Sequence, residues 1–364
     1  MKIKEVIKYL EDIVPLTYQE SYDNSGLILG DKDLDVKGVL ISLDCTEEVL
    51  DEAIKSNSNL IISHHPIIFN AIKKINVTSY TDRIIIKAIK NDIAIYALHT
   101  NLDNILQGVN GKIASILGLS SCNVMLPKKD TLKYLVVYCP LAKSEKLKKS
   151  LFSVGAGSVG NYDQCSFTSV GKGSFRANKD AKPYIGKTEF LHTEEEERIE
   201  VIYPAFKETN IIQELKNNHP YEEVAYQTYM ISNFNKSIGS GIIGSIKSSI
   251  NINSFLKLLK DKLSVEYIKH TDIVKHKIKK VAICGGSGSF LIQKAIDLNA
   301  DVFISSDFKY HDYFLANKKI IIIDIGHYES EQFTKDLIYD MLTKKFTKFA
   351  VRLSKINTNP INYF

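Results

Sequence analysis

Short, uninterrupted apolar runs alternate with helical patterns in the N-terminal part of the chain. The runs at residues 39–43, 60–63 and 93–98 have the length of buried strands, and apolar residues at helical spacing fill 46–56 and 82–91 between them. Strands that alternate with helices in this way are typical of a parallel or mixed sheet covered by helices. The sequence therefore predicts an α/β fold, in which binding groups gather at the carboxyl ends of the strands.

The same alternation returns in the C-terminal part. Strands are predicted at residues 281–284, 302–305 and 320–325, and a long helix and a final strand follow them. The two outer segments are therefore similar in kind. We expect residues 1–127 and 234–364 to form two similar α/β lobes of one unit.

The segment between the lobes has a different order of elements. Residues 128–233 are predicted to follow the order β-α-β-β-α-β, which is the split-βαβ arrangement of a ferredoxin-like α+β domain. We therefore expect a ferredoxin-like inserted domain here. Its acidic run, Glu194-Glu195-Glu196-Glu197, is interpreted as a solvated loop, because like charges in succession usually face water.

Length and composition limit the class of protein. A chain of 364 residues is too long for one ordinary core, and 44% hydrophobic with 24% charged residues is typical of soluble globular proteins. The sequence has neither an apolar run long enough for a membrane span nor a signal-peptide pattern, so we expect a cytoplasmic protein without membrane contact. The five scattered cysteines predict reduced thiols. A net charge of +5 does not indicate nucleic-acid binding.

Two adjacent histidines follow one of the predicted strands, in Ser63-His64-His65-Pro66. Neighbouring side chains of a strand point to opposite faces, so the pair suits a single metal ion poorly, whereas each histidine can serve one ion of a pair. The alternative is a polar pair that ends a strand before proline. His99-Thr100-Asn101-Leu102-Asp103 lies beyond the next strand end, and we expect its polar residues at the same edge of the sheet.

A further histidine and carboxylate occur in Gly326-His327-Tyr328-Glu329-Ser330-Glu331, directly after a predicted strand. His327 and Glu331 share a face if a helix begins there. An acidic helix N-terminus explains the glutamates but not the histidine. Three imidazoles and two carboxylates suit Zn, Fe, Mn, Co or Ni better than Ca or Mg, and they hold two divalent ions if Glu331 bridges them. The predicted metal ligands are His64, His65, Asp103, His327 and Glu331.

Two other groups of residues carry weaker signals. A glycine turn follows a predicted strand, and its backbone N–H groups could bind an anion, although it matches neither the P-loop nor the G-x-G-x-x-G pattern. Polar residues beyond strand ends are candidates for a catalytic acid or base, with simple surface positions as the alternative. The weak anion site consists of Gly285, Gly286, Ser287 and Gly288, and the catalytic candidates are Asp307, His311 and His99.

Five spaced motifs cover both outer segments. They are Tyr22-Asp23-Asn24-Ser25-Gly26-Leu27, Ser63-His64-His65-Pro66, His99-Thr100-Asn101-Leu102-Asp103, Cys284-Gly285-Gly286-Ser287-Gly288 and Gly326-His327-Tyr328-Glu329-Ser330-Glu331. Together they resemble the GTP cyclohydrolase 1 type 2 homologues, also called NGG-interacting-factor-three-like proteins. The resemblance implies a dinuclear metal site at the five predicted ligands and a ring-shaped homohexamer. The middle segment is similar to the inserted domain of the longer members, which is related to signal-transduction and copper-tolerance trimer proteins.

These observations favour a metal-dependent hydrolase, because a pair of ions activates water and polarises a C–N or phosphoryl centre. The resemblance implies GTP cyclohydrolase-like chemistry on a nucleotide or another phosphorylated small molecule. The alternative is a non-catalytic metal-binding regulatory or scaffold hexamer, whose inserted domain senses a ligand or partner. The sequence contains no motif that specifies a substrate, so both alternatives stay open.

Overall fold

The computed structural model describes residues 1–363. Its strands are, in chain order, β1 (Gly26–Leu29), β2 (Gly38–Ser42), β3 (Leu60–Ser63), β4 (Ala94–Ala97), β5 (Leu119–Pro127), β6 (Leu132–Pro140), β7 (Phe167–Arg176), β8 (Leu191–Pro204), β9 (Tyr226–Met230), β10 (Gly239–Asn251), β11 (Lys269–His270), β12 (Lys277–Ser287), β13 (Val302–Ser306), β14 (Ile321–Asp324) and β15 (Ala350–Leu353).

The α-helices connect these strands, and short 3₁₀ segments lie at Leu16–Tyr18, Ala205–Lys207, Ser289–Leu291 and Tyr310–Ala316. The helices are α1 (Ile3–Ile13), α2 (Glu47–Lys55), α3 (Tyr80–Lys90), α4 (Thr100–Asp103), α5 (Val109–Ile116), α6 (Leu141–Ser153), α7 (Glu208–Asn218), α8 (Ile252–Leu263), α9 (Ile292–Asp297), α10 (His327–Glu331) and α11 (Thr334–Lys345). None of the helices in the described part of the chain is both long enough and apolar enough to cross a membrane.

The chain divides into two compact units. One contains residues 1–127 together with the residues from 237 onward, and the other contains residues 128–236. The second unit extends three residues beyond the segment 128–233 that the change of pattern indicates.

The first sheet of the larger unit has the strand order β1-β4-β3-β2-β15. β15, β2, β3 and β4 run parallel, and β1 pairs antiparallel with β4. The central strands are buried along their whole length, which explains why their sequences are continuous apolar runs rather than alternating patterns. The carboxyl ends of β3 and β4 therefore lie side by side.

The second sheet of the same unit has the order β11-β14-β13-β12-β10-β5. β12, β13 and β14 are parallel, while β10 pairs antiparallel with both β12 and β5. The mixed α/β architecture predicted from the alternating pattern is confirmed.

Two edge strands lie in a different sheet from the one that their position in the chain predicts. β5 belongs to the predicted first lobe but pairs with β10 in the second sheet, and β15 belongs to the predicted second lobe but pairs with β2 in the first. The lobes are therefore interleaved rather than divided at one point of the sequence. Strand propensity reflects packing context, so a local pattern does not reveal which sheet an edge strand joins.

The main core of the larger unit combines residues of both sheets. Val39 and Ile41 of β2 and Ile304 of β13 belong to one buried cluster with residues of α1, α5, α8 and α11. Leu40 points to the opposite face of the first sheet and packs in a second cluster with α2 and α3. Successive side chains of the strand point to opposite faces, and helices cover both of these faces, so that the strand is buried on each side.

The smaller unit is an antiparallel sheet with the order β7-β8-β6-β9. Leu147 of α6 and Ile211 of α7 pack against Leu135 and Ile199 of this sheet. The acidic run is not a loop, as the sequence suggested, because residues 194–197 lie within β8. All four glutamates pair with β7, and Glu196 and Glu197 pair with β6 as well, which holds the run in the sheet despite its charge.

Candidate metal centre

Polar motifs extend three parallel strands of the larger unit beyond their carboxyl ends. His64 and His65 follow β3, the segment from His99 to Asp103 follows β4, and α10 follows β14. Each strand is anchored by buried apolar residues, so the motif that follows it begins at a fixed position. The structure brings these motifs from both sheets together.

The two adjacent histidines are each held through the Nδ1 atom. His64 is fully buried, and its Nδ1–H donates to the carbonyl oxygen of Leu98 at 2.7 Å. His65 Nδ1 lies 2.7 Å from Asp44 Oδ1. Both rings therefore present Nε2 to the interior of the cluster, which is the usual arrangement of histidines that bind metal.

His327, which follows β14 of the second sheet, is also held through its Nδ1 atom. Its Nδ1 lies 2.5 Å from Asp307 Oδ2, and its Nε2 lies 3.3 Å from His65 Nε2. Two imidazole nitrogens from different sheets thus converge on one point.

Glu331 lies at the centre of the cluster, with a side chain that is only 4% exposed. Its Oε2 is 3.0 Å from Nε2 of His65 and 3.0 Å from Nε2 of His327. Its Oε1 is 3.7 Å from Nε2 of His64. The two oxygens of one carboxylate therefore face different histidines, as a bridging ligand would.

Asp103 completes the set of five residues. Its Oδ1 lies 3.7 Å from His64 Nε2, and both atoms are buried without a hydrogen-bond partner. Buried polar atoms are almost always paired, because leaving one without a partner costs about 1–3 kcal/mol. A cation held between these two atoms and Glu331 would satisfy both. The donor set of imidazole and carboxylate therefore fits a divalent transition metal.

Burial and close contacts between charged groups shift the pKa values of the cluster residues. Burial lowers the pKa of His64. Burial also lowers the pKa of His65 and His327, but hydrogen bonds to Asp44 and Asp307 and the contact with Glu331 outweigh it and raise these pKa values to about 10 and about 11. Burial and the nearby Glu331 raise the pKa of Asp103 well above its usual range. Protons and a metal ion therefore compete for the same atoms.

The backbone around Glu331 leaves room for its carboxylate. A Cβ added at Gly286 would overlap with Glu331 Oε1, and Gly286 has a positive φ of 60°. Both facts make a side chain unfavourable at this position of the glycine turn.

Two of the four residues of the predicted anion site already use their backbone donors within the protein. The N–H of Gly285 donates to Asn110 Oδ1 at 2.8 Å, and the N–H of Gly286 donates to Ser330 Oγ at 2.9 Å. Ser287 is part of β12, where it is the register partner of Ser306. The prediction is therefore wrong for Gly285 and Gly286, because neighbouring side chains already use their donors.

The candidate catalytic residues have different environments. Asp307 holds His327. His99 lies beside the cluster, with ring centroids 5.4 Å from His64 and 5.5 Å from His65. His311 is exposed and packs against the rings of Tyr310 and Phe314, so the structure does not bring it into the cluster.

Two carboxylates with a clear role were not singled out from the sequence. Asp44 holds His65 and accepts from Thr358 Oγ1 at 2.5 Å. Asp23 lies 2.6 Å from His99 Nδ1 and accepts the backbone N–H of Thr100. Asp44 directly follows a predicted strand end, which is a signal that could have identified it. Asp23 lies in one of the five motifs that carry the family resemblance, but its pairing with a histidine far along the chain could not be predicted from that motif.

Comparison with known sequences gives matches along the whole chain. The profile of the family Duf34/NIF3 (NGG1p interacting factor 3) matches residues 1–360. A protein of Staphylococcus epidermidis named "GTP cyclohydrolase 1 type 2 homolog" is 36% identical over 367 residues, and the match covers 100% of both chains. A protein of Bacillus subtilis with the same name is 36% identical over 369 residues, covering 99% of this chain and 98% of that protein.

Solved structures show the same similarity. A Bacillus cereus protein described as related to NIF3 has a TM-score of 0.88 and 35% identity, over 100% of this chain and 99% of that one. A Staphylococcus aureus protein has a TM-score of 0.78 and 32% identity with the same coverage. Family profile, relatives and solved structures agree along the full length, so this chain belongs to the Duf34/NIF3 family.

Proposed function

We propose that His64, His65, Asp103, His327 and Glu331 bind two divalent transition-metal ions and that the chain is a metal-dependent hydrolase. The observation that carries this proposal is the pair of buried, unpartnered atoms, His64 Nε2 and Asp103 Oδ1, next to a carboxylate whose other oxygen contacts His65 and His327. Hydrogen bonds within the protein do not satisfy these atoms, and a cation would.

The arrangement supports two ions rather than one. His64 and Asp103 lie on the side of Glu331 Oε1, whereas His65 and His327 lie on the side of Oε2. Zn, Fe, Mn, Co and Ni suit this mixture of imidazole and carboxylate. When bound, a pair of such ions lowers the pKa of water and polarises the bond to be hydrolysed.

The protein residues keep this chemistry in position. Asp44, Asp307 and the Leu98 carbonyl fix the three ligand imidazoles with Nε2 directed inward. His99 is oriented by Asp23 through Nδ1, which leaves its Nε2 to exchange a proton with water or substrate next to the cluster.

The substrate that we propose is nucleotide-like or otherwise phosphorylated. Relatives of similar length carry the name "GTP cyclohydrolase 1 type 2 homolog". The exposed rings of Tyr22 and Phe69 lie 6.3 Å apart, and Phe69 lies 6.2 Å from His99. Flat aromatic surfaces beside the cluster suit the stacking of a base.

Metal content tests the binding step. Elemental analysis of the purified protein should give close to two transition-metal ions per chain, and His65→Ala or Asp103→Ala should lower this content sharply. His311→Ala is the matched control, because His311 is exposed and lies outside the cluster. Full metal content in both ligand variants would show that these residues are not the ligands.

Turnover of a nucleotide and phosphoester panel tests the hydrolase. Glu331→Gln keeps the shape of the side chain but weakens the contact with both ions, so turnover of GTP or a related nucleotide should fall by orders of magnitude while the melting temperature changes little. Equal trace turnover in wild type and Glu331→Gln would instead favour the non-catalytic regulatory alternative.

A further inference from the structure

The unit of residues 128–236 contains a cavity of about 650 Å³. Its walls come from β7 and β8 and from residues 177–184 and 221–225, and none of the five metal-cluster residues lines it. A small organic molecule fits a cavity of this size, since ligand pockets usually span about 300–1,000 Å³.

A buried carboxylate lines this cavity. Glu196 is only 8% exposed. Its neighbours Glu194 and Glu197 pair with His192 and Lys148, whereas Glu196 forms an ion pair with no cation within residues 1–363. A largely buried carboxylate without a cation beside it favours a ligand that supplies hydrogen-bond donors.

The surroundings of Glu196 are shaped for its carboxylate. A Cβ added at Gly173 of β7 would overlap with Glu196 Oε2, so the missing side chain at this position leaves the space that the carboxylate occupies. The hydroxyl of Tyr221 also lines the cavity, and burial together with the nearby Glu196 raises the pKa of this tyrosine. Its Oη is buried and forms no hydrogen bond of good geometry within the described residues. The Glu196 carboxylate and the Tyr221 hydroxyl therefore line the same space.

Aromatic rings form a wall of the cavity. The ring of Tyr221 lies 5.8 Å from that of Phe175 and 6.3 Å from that of Tyr184, measured between centroids. Rings at these separations offer flat apolar surface to a planar ligand.

Cations lie on another part of the lining. Lys172 is exposed, lines the cavity and forms no ion pair within the described residues. Arg198 also lines it, and its Nε pairs with Glu200 at 2.9 Å. The cavity therefore combines one buried acceptor, a planar apolar wall and cationic side chains.

We propose that this cavity binds a guanine nucleotide, with Glu196 accepting hydrogen bonds from the ring N–H and the amino group of the base. An ionised carboxylate only accepts, and its two oxygens match two adjacent donors. Adenine has an acceptor at the equivalent ring position, so that this nitrogen would face the carboxylate oxygens, which are also acceptors. The rings of Phe175, Tyr184 and Tyr221 pack against the base, and Lys172 and Arg198 attract the phosphate.

This site is independent of the metal cluster and of the proposed hydrolase. Calorimetric titration of the full chain in the presence of a chelator therefore tests it with GMP as the probe. Wild type should bind GMP, and Glu196→Gln should weaken binding about tenfold or more, because the amide places donors against the donors of the base. Glu195→Gln is the matched control, since Glu195 is the exposed neighbour on the same strand and does not line the cavity.

Analogues test the donors directly. IMP lacks the amino group, so wild type should bind it about tenfold more weakly than GMP, and this difference should vanish in Glu196→Gln. AMP that binds wild type as tightly as GMP would overturn the proposal. So would equal GMP affinity in wild type and a folded Glu196→Gln.

Two further variants distinguish this cavity from the metal cluster as the place where the nucleotide binds. Lys172→Ala changes an exposed side chain. It should weaken the binding of GMP but leave the binding of guanosine unchanged, because guanosine has no phosphate. His65→Ala should retain GMP affinity. Loss of binding in His65→Ala with retention in Glu196→Gln would place the nucleotide at the metal cluster and overturn the inference.

Discussion

Each of the three candidate ligand histidines is oriented by one oxygen atom that contacts its Nδ1. Asp44, Asp307 and the Leu98 carbonyl engage Nδ1 of His65, His327 and His64. These contacts fix the orientation of each ring and leave Nε2 for a metal ion.

Asp44→Asn tests this orienting role. The amide carries no charge and holds the His65 ring less firmly, so we expect metal affinity to fall by about 10–100-fold. Competition with a chromophoric chelator measures the change. Asp51→Asn is the control, because Asp51 pairs with Lys87 on the surface. Unchanged affinity in Asp44→Asn would contradict the role that we assign to this contact.

A buried aspartate away from the centre makes stability depend on pH. Asp301 is 6% exposed, pairs with Lys275 and accepts the backbone N–H groups of Lys279 and Lys280 at 2.7 and 2.8 Å. Burial raises the pKa of Asp301, but these contacts outweigh it and lower the pKa below its usual 3.8. The contribution to stability is therefore complete above the unfolded-state pKa and is lost as the pH falls through the folded-state value.

Asp301→Asn should lower the free energy of unfolding by about 1–3 kcal/mol at neutral pH. The difference from wild type should narrow below about pH 4, because the carboxylate of the unfolded wild-type chain takes up a proton there before the folded one does. Urea unfolding of both proteins at neutral pH and below about pH 4 measures this difference in the free energy of unfolding. Asp261→Asn is the control, because Asp261 is exposed. A difference that stays constant with pH would mean that the charge of Asp301 is not involved.

Among the elements of the fold, the two strands that flank the inserted segment, β5 and β10, are antiparallel neighbours in one sheet. β5 ends at Pro127 and β10 begins at Gly239, and these two residues are register partners in the antiparallel pair. The chain therefore leaves and re-enters the second sheet at adjacent positions. Antiparallel neighbours can be joined by a short loop.

Replacing residues 128–236 with Asn-Gly should therefore leave a soluble protein that still binds metal. The five predicted ligands all lie in the larger unit. Elemental analysis and circular dichroism of the shortened chain test this, with full-length protein as reference. Loss of metal binding in a folded shortened chain would show that the inserted segment contributes to the site.

For the molecule as a whole, exposed apolar surface is compatible with self-association. Tyr310, Phe314 and Leu315 are 74%, 66% and 54% exposed within one 3₁₀ segment. Clusters of exposed apolar side chains of this kind often mark interaction surfaces.

We expect a homohexamer in solution, as the family resemblance implies. Light scattering coupled to size-exclusion chromatography should give a mass six times that of the chain. The mass should persist at high salt if apolar contacts dominate, because salt screens charges but does not weaken apolar burial. A single-chain mass at all accessible concentrations would contradict this expectation.

Local relations along the chain are sufficient to predict the fold class and the positions of the polar motifs. Buried parallel strands need continuous apolar runs, and a histidine pair directly after such a run must lie at a sheet edge. For this reason His64, His65, Asp103, His327 and Glu331 could be chosen as candidate ligands from the amino-acid sequence.

Which distant groups meet depends instead on how the elements pack. Asp23 holds a histidine 76 residues away, and the donors of Gly285 and Gly286 are taken by Asn110 and Ser330. The exchange of β5 and β15 between the sheets and the burial of Glu196 likewise depend on long-range pairing. Local patterns report which face of an element is apolar, whereas the partner of a polar atom is set by packing between elements far apart in the chain.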